Sequence, residues 1–155
     1  MKRLHLFSLI IYIILGCSFT SKASDKVSVF IEGSLSELQE QIVNNAFMSR
    51  LSSTKTYSVF ERSELFIDAL NQEHDYQVSG EVPESQIRKI ANKYGVDFVI
   101  AVSVMCDGDD IYMSARLIHV VSGKVEKTVS LDRKGYSNKV LKNLSNNVAY
   151  RLLSN

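Results

Sequence analysis

Two cysteines, a single proline and no surplus of positive charge are what this 155-residue chain has little of, and each shortage excludes something. Cys17 lies in an apolar N-terminal stretch, so Cys106 is the one thiol of the folded part and no intrachain disulfide framework forms. With no histidine near it in sequence, Cys106 is expected as a buried strand residue rather than a nucleophile. Eighteen Lys and Arg against seventeen Asp and Glu leave no source for the electrostatic attraction that dominates nucleic-acid binding, so no nucleic-acid partner is expected. GxSxG, HExxH, CxxC and P-loop patterns are all missing, and neither a cofactor nor a metal is expected. Asp107-Gly108-Asp109-Asp110 gathers carboxylates but lacks the twelve-residue spread and closing glutamate of a calcium loop, and reads as a solvated hairpin turn. No internal repeat or low-complexity block interrupts the chain.

What is present begins with a targeting pattern. Lys2, Arg3 and His5 precede an uncharged apolar stretch from Leu6 to Leu15, the order of a secretory signal, and one shorter than the roughly 20 residues a membrane-spanning helix requires. Two processing sites compete. Ser21-Lys22-Ala23 offers small residues to a signal peptidase, which makes residues 1–23 the signal peptide. Ile14-Leu15-Gly16-Cys17 resembles a bacterial lipobox, which makes residues 1–16 the signal and Cys17 the lipidated residue. Loss of residues 1–23 removes Lys2, Arg3 and Lys22 and no acidic residue, so 15 basic and 17 acidic side chains remain, a net charge of −2.

Residues 24–155 read as a single α/β domain, and 45% hydrophobic content suffices for one core. Val27, Val29 and Ile31 alternate with Ser28, Phe30 and Glu32 in a first strand that stops at Gly33. Ser34 with Glu37 forms a capping box for a helix whose apolar stripe is Leu38, Ile42, Ala46, Phe47 and Leu51. Tyr57-Ser58-Val59-Phe60 is a short second strand, and Ser63 caps a helix carrying Leu65, Phe66, Ala69 and Leu70. Residues 72–81 form a polar loop, and Pro83 opens the next helix, where a missing N–H costs nothing. That helix ends at Tyr94-Gly95, with Gly95 supplying the left-handed stop, and the β-branched run from Phe98 to Val104 begins a strand.

Two more strands follow, hinged at the Asp107–Asp110 turn and at Ser122-Gly123, and in the first of them Ile111, Met113, Ala115 and Leu117 oppose Tyr112, Ser114 and Arg116. Leu141, Leu144, Val148 and Leu152 close the chain as an amphipathic helix. Helical crossovers make the first three strands parallel and tight turns append an antiparallel meander, giving a mixed sheet with helices packed on its faces.

Three segments carry a family likeness. Val59-Phe60-Glu61-Arg62-Ser63-Glu64-Leu65 is a strand ending in Glu-Arg before a helix; residues 90–100, with Tyr94-Gly95-Val96-Asp97, join a helix to a buried strand through a Gly-Val-Asp turn; residues 115–125 hold an arginine-bearing strand, a Ser-Gly turn and a return strand. Together they resemble a superfamily of bacterial envelope domains that includes the N-terminal domain of TolB, the curli-secretion lipoprotein CsgG and the penicillin-binding-protein activator LpoB. The likeness runs from residue 27 to about 131. The chain has no room for the propeller that follows in TolB, no long hairpin insertions of the kind that make the CsgG channel, and a far shorter tether than the disordered arm of LpoB-like activators.

The resemblance implies an α/β fold and a periplasmic location, membrane-anchored at the outer membrane if Cys17 is lipidated. It implies a non-enzymatic accessory or assembly role through binding of envelope proteins. Candidate contacts are Tyr112, Arg116, Asp107, Asp109 and Asp110, because polar and aromatic groups on the wetter face of a strand suit interfaces. Glu61 and Arg62 read as a structural charge pair at their strand-to-helix junction. The competing reading is a periplasmic ligand-binding or hydrolytic domain using His74 or Asp109, and His119 is expected as a half-buried strand residue with a hydrogen-bond partner.

Overall fold

The computed structural model describes residues 24–60 and 84–154. In chain order these form β1 (Asp25–Gly33), α1 (Glu37–Ser53), β2 (Tyr57–Val59), α2 (Glu84–Lys93), β3 (Phe98–Asp107), β4 (Asp110–His119), β5 (Val125–Lys134) and α3 (Asn138–Leu153). The strands make one open five-stranded sheet in the order β2-β1-β3-β4-β5. β1 pairs in parallel with both β2 and β3, and β3, β4 and β5 run antiparallel, so the mixed sheet with its meander is as expected. Sequence periodicity carries no information about strand order, and β1 proves to be central to the parallel part.

One face of the sheet holds the main core. Val27 and Val29 of β1, Ile100, Val102 and Val104 of β3, and Ile111, Met113, Ala115 and Leu117 of β4 pack beneath Val43, Phe47 and Leu51 of α1 and Leu141, Leu144, Val148 and Leu152 of α3. The alternation of β4 and the C-terminal stripe both land where the pattern puts them. On the opposite face Ala91 of α2 joins Val96, Val99 and Val120 in a smaller cluster, against which Phe30, Phe60 and Tyr94 pack. Among the described residues helices therefore lie on both faces, α1 and α3 on one and α2 on the other.

Three local expectations change. The cap of α1 is Ser36, not Ser34: the Ser36 N–H donates to Gln39 Oε1 at 2.9 Å while Gln39 N–H donates to Ser36 Oγ at 3.4 Å. A tight turn in which Leu35 N–H donates to the Gly33 carbonyl holds the chain in a bend before the helix can begin. The buried stripe of α1 is correspondingly Val43, Ala46, Phe47 and Leu51, and Leu38 in the first turn is 57% exposed. Cys106 is a strand residue but exposed, because β1 ends opposite Val104 and the strand runs on beyond the cover of the core. Ser63 and its helix, the loop at 72–81 and Pro83 lie outside the described residues.

Candidate partner-binding sheet face

The turn between α2 and β3 shows why a Gly-Val-Asp sequence is useful there. Gly95 takes a φ of +66°, its N–H donates to Asn92 and that of Val96 reaches back to Ala91, the paired bonds of a Schellman cap, with Val96 and Ala91 in the same apolar cluster. Asp97 then ties three strands. Its N–H donates to the Lys26 carbonyl, its Oδ2 accepts from Lys26 N–H at 2.8 Å, and its carbonyl accepts from Val120 N–H. Reading the residues placed Asp97 in the turn but missed this tie; an acidic side chain directly after a helix stop and before a buried strand was the available signal.

The β3–β4 hairpin turns through Gly108 and Asp109 between the paired Asp107 and Asp110. Gly108, at φ +57°, occupies the first turn position, which a type II′ hairpin gives to glycine. Asp107 and Asp109 are exposed at this tip, and Gly135 N–H donates to the Asp109 carbonyl. Among the described residues no three His, Cys, Asp or Glu side chains are grouped to hold a metal ion.

Of the five expected contacts, Tyr112 and Arg116 share one face of β4, and the Asp107–Asp110 turn adjoins the Tyr112 end of it. Register extends this face into rows. Met105, Tyr112 and Asp132 cross β3, β4 and β5; Glu32, Ser103, Ser114 and Ser130 form the next row; Phe30, Ala101, Arg116 and Thr128 form the third. Met105 is 65% and Tyr112 42% exposed, while Ser130, Thr128 and Asp132 are open to solvent. Arg116 is half-buried and engaged. From β3 to β5 the middle row is small and hydroxyl-bearing, Ser103, Ser114 and Ser130, with Glu32 at its β1 end. Met105 and the serine row were not singled out from sequence; their register opposite Tyr112 and Ser114 depends on the hairpin being a two-residue turn.

His119 behaves as expected. It is half-buried, its Nδ1 accepts from Ser122 N–H at 3.2 Å and lies 3.0 Å from Ser122 Oγ, and its ring meets Phe98 edge-on at 5.1 Å. His74, Glu61 and Arg62 lie outside the described residues. A groove of about 270 Å³ lies between α1 and α3, lined by Ile42, Asn45, Ala46, Ser49, Lys142 and Asn146, and Asp109 is not part of its lining. Among the described residues no helix is long and apolar enough to cross a membrane.

The family model described as the curli production assembly/transport component CsgG matches residues 11–108, well over half the chain. The protein belongs to the CsgG family. Its match ends in the β3–β4 turn, so the family likeness covers the parallel part of the sheet and leaves the rest of the meander to the structural comparison. The C-terminal domain of LpoB from Salmonella enterica is similar in structure, with a TM-score of 0.50 at 13% identity, covering 80% of this chain and 92% of that one. TolB from Acinetobacter baumannii is similar at a TM-score of 0.50 and 9% identity, covering 86% of this chain and 29% of that one. At such identities the shared property is the fold. No curated protein sequence matches the chain.

Proposed function

We propose that this CsgG-family protein is an exported, non-enzymatic accessory of the bacterial envelope whose domain, residues 24–155, acts by binding another envelope protein. The observation that carries the reading is the exposed pair Met105 and Tyr112 on a sheet face that continues through serines and charged side chains, beside the acidic tip of the hairpin. An exposed methionine and tyrosine flanked by polar groups are what a partner can desolvate at little cost and with an oriented hydrogen bond from the phenol. The signal-like N-terminus and the shared fold with domains of LpoB and TolB support the compartment. In this reading Cys17 is the lipid attachment site that holds the domain at the outer membrane. A hydrolytic reading gains nothing from Asp109, which stands on an exposed turn.

A photocrosslinking residue placed at position 112 in intact cells is expected to give one discrete adduct that disappears in Met105→Asp, while the same probe at Lys139, on the exposed side of α3, gives none. Equal yields from both positions, or none from 112, would reject this surface as the contact. Intact mass of the N-terminal fragment from the membrane fraction reads the anchor directly: a diacylglycerol-sized increment on Cys17 is expected, and a chain beginning at Ser24 refutes it.

A further inference from the structure

The two edges of the sheet are unlike. β2 is three residues long, whereas β5 runs for ten, and among the described residues nothing pairs with its outer side. The bond from Gly135 N–H to the Asp109 carbonyl sets the alternation along it: odd-numbered residues of β5 bond inward to β4, and Thr128, Ser130, Asp132 and Lys134 turn their N–H and C=O groups outward. An edge with unpaired backbone groups at four alternate positions accepts a strand and little else.

We infer that the occupant is β5 of a second copy of this chain, paired antiparallel about a two-fold axis that continues the sheet through the interface. The distribution of charge carries the choice. Charged side chains sit at both ends of the strand, Glu126 and Lys127 at one and Asp132, Arg133 and Lys134 at the other, and the centre, Thr128-Val129-Ser130-Leu131, has none. A two-fold axis perpendicular to the sheet opposes only residues of the same face, so few registers exist. Past the irregularity where Leu117 pairs Lys127 and Ile118 pairs Val125, β5 is regular. Of the two longest registers of that run, one sets Lys127 against Arg133 of its partner, a like-charge opposition that disfavours it.

The other sets Leu131 opposite Leu131, Val129 opposite Arg133, Ser130 opposite Asp132 and Thr128 opposite Lys134, with no like charges opposed. Leu131 then falls at a non-hydrogen-bonded pair, where side chains come closest, and it is half-buried at the rim of the main core together with Val129. Self-pairing extends that core across the axis. Ser130 and Asp132 also belong to the open face of Met105 and Tyr112, but the pairing itself runs through the outward backbone groups of β5, so the Tyr112 crosslink lost in Met105→Asp and the dimer weakened in Ser130→Asp read the two contacts separately.

Sedimentation of the domain without its N-terminal segment, residues 24–155, from micromolar to submillimolar concentration is the test, run with two variants at the exposed Ser130. Ser130→Asp places carboxylates opposite Asp132 twice per interface and is expected to weaken the dimer about tenfold or more, whereas Ser130→Lys places an ammonium there and is expected to tighten it. A chain that stays monomeric throughout overturns the proposal. So does a dimer that both variants leave unmoved, because it is then built on another surface.

Discussion

The two faces of the sheet are made from the same strands and have opposite fates. On one, every inward side chain of β4 from Ile111 to Leu117 is at most 5% exposed beneath α1 and α3. On the other, α2 gathers Val96, Val99 and Val120 at one end, and towards the β3–β4 turn the face gives way to serines, Met105 and Tyr112. A strand is amphipathic residue by residue, so a single run such as Ile111-Tyr112-Met113-Ser114 serves both purposes at once. The covered face holds the main core, so the exposed side chains of the open one are not constrained by core packing.

That contrast breaks most visibly if a large side chain is removed from each face in turn. Phe47, fully buried between α1 and the sheet, is expected to cost about 3–5 kcal/mol when changed to Ala, through lost apolar transfer plus the cavity left behind. Tyr112→Ala, on the exposed row, is expected to stay within about 1 kcal/mol, the worth of a cross-strand pair. Urea unfolding of both variants measures the ratio. Similar losses at the two positions would mean that the open face is packed like the covered one and is no docking surface.

The covered face was the legible part. Period-two alternation in β4 and the helical spacing of Leu141, Leu144, Val148 and Leu152 report burial directly, since one side of each element must leave water. Gly95 was legible because a left-handed stop has few other solutions. Where two solutions lie close together the local pattern does not choose: Ser34-x-x-Glu37 and Ser36-x-x-Gln39 are both capping boxes, and the Leu35-to-Gly33 bond, a feature of the turn, decides for the second. Cys106 was misplaced for a different reason. It continues the core-facing parity of Val102 and Val104 and pairs with the buried Ile111, but burial depends on how far the neighbouring strand and helices extend, and β1 stops two residues short of it. The open face was legible only in part. Tyr112 and Arg116 follow from alternation within one strand, whereas Met105 and the serine row require the register between strands.

The rim of the covered face offers the finest test of how complete its cover is. Tyr57 of β2 packs edge-on against Phe98 with ring centroids 5.9 Å apart and is half-buried; burial first, then the carboxylates of Asp25 and Glu126, push its phenol above the ordinary tyrosine value of 10.0. The folded chain therefore holds this proton more tightly than the unfolded chain does. Its contribution is fully present below the unfolded pKa and is lost as pH rises from there through the raised folded value, so native stability falls on the alkaline side. Tyr57→Phe keeps the ring and its contact with Phe98 while abolishing the titration. Unfolding midpoints of the two chains are expected to track each other at neutral pH and to diverge above about pH 10, with the phenylalanine variant declining less steeply. Parallel decline would mean that water reaches the phenol freely and that the covered face ends inside β2; divergence extends the cover to the last strand of the sheet, leaving the half beyond α2 as the side of the molecule that is open.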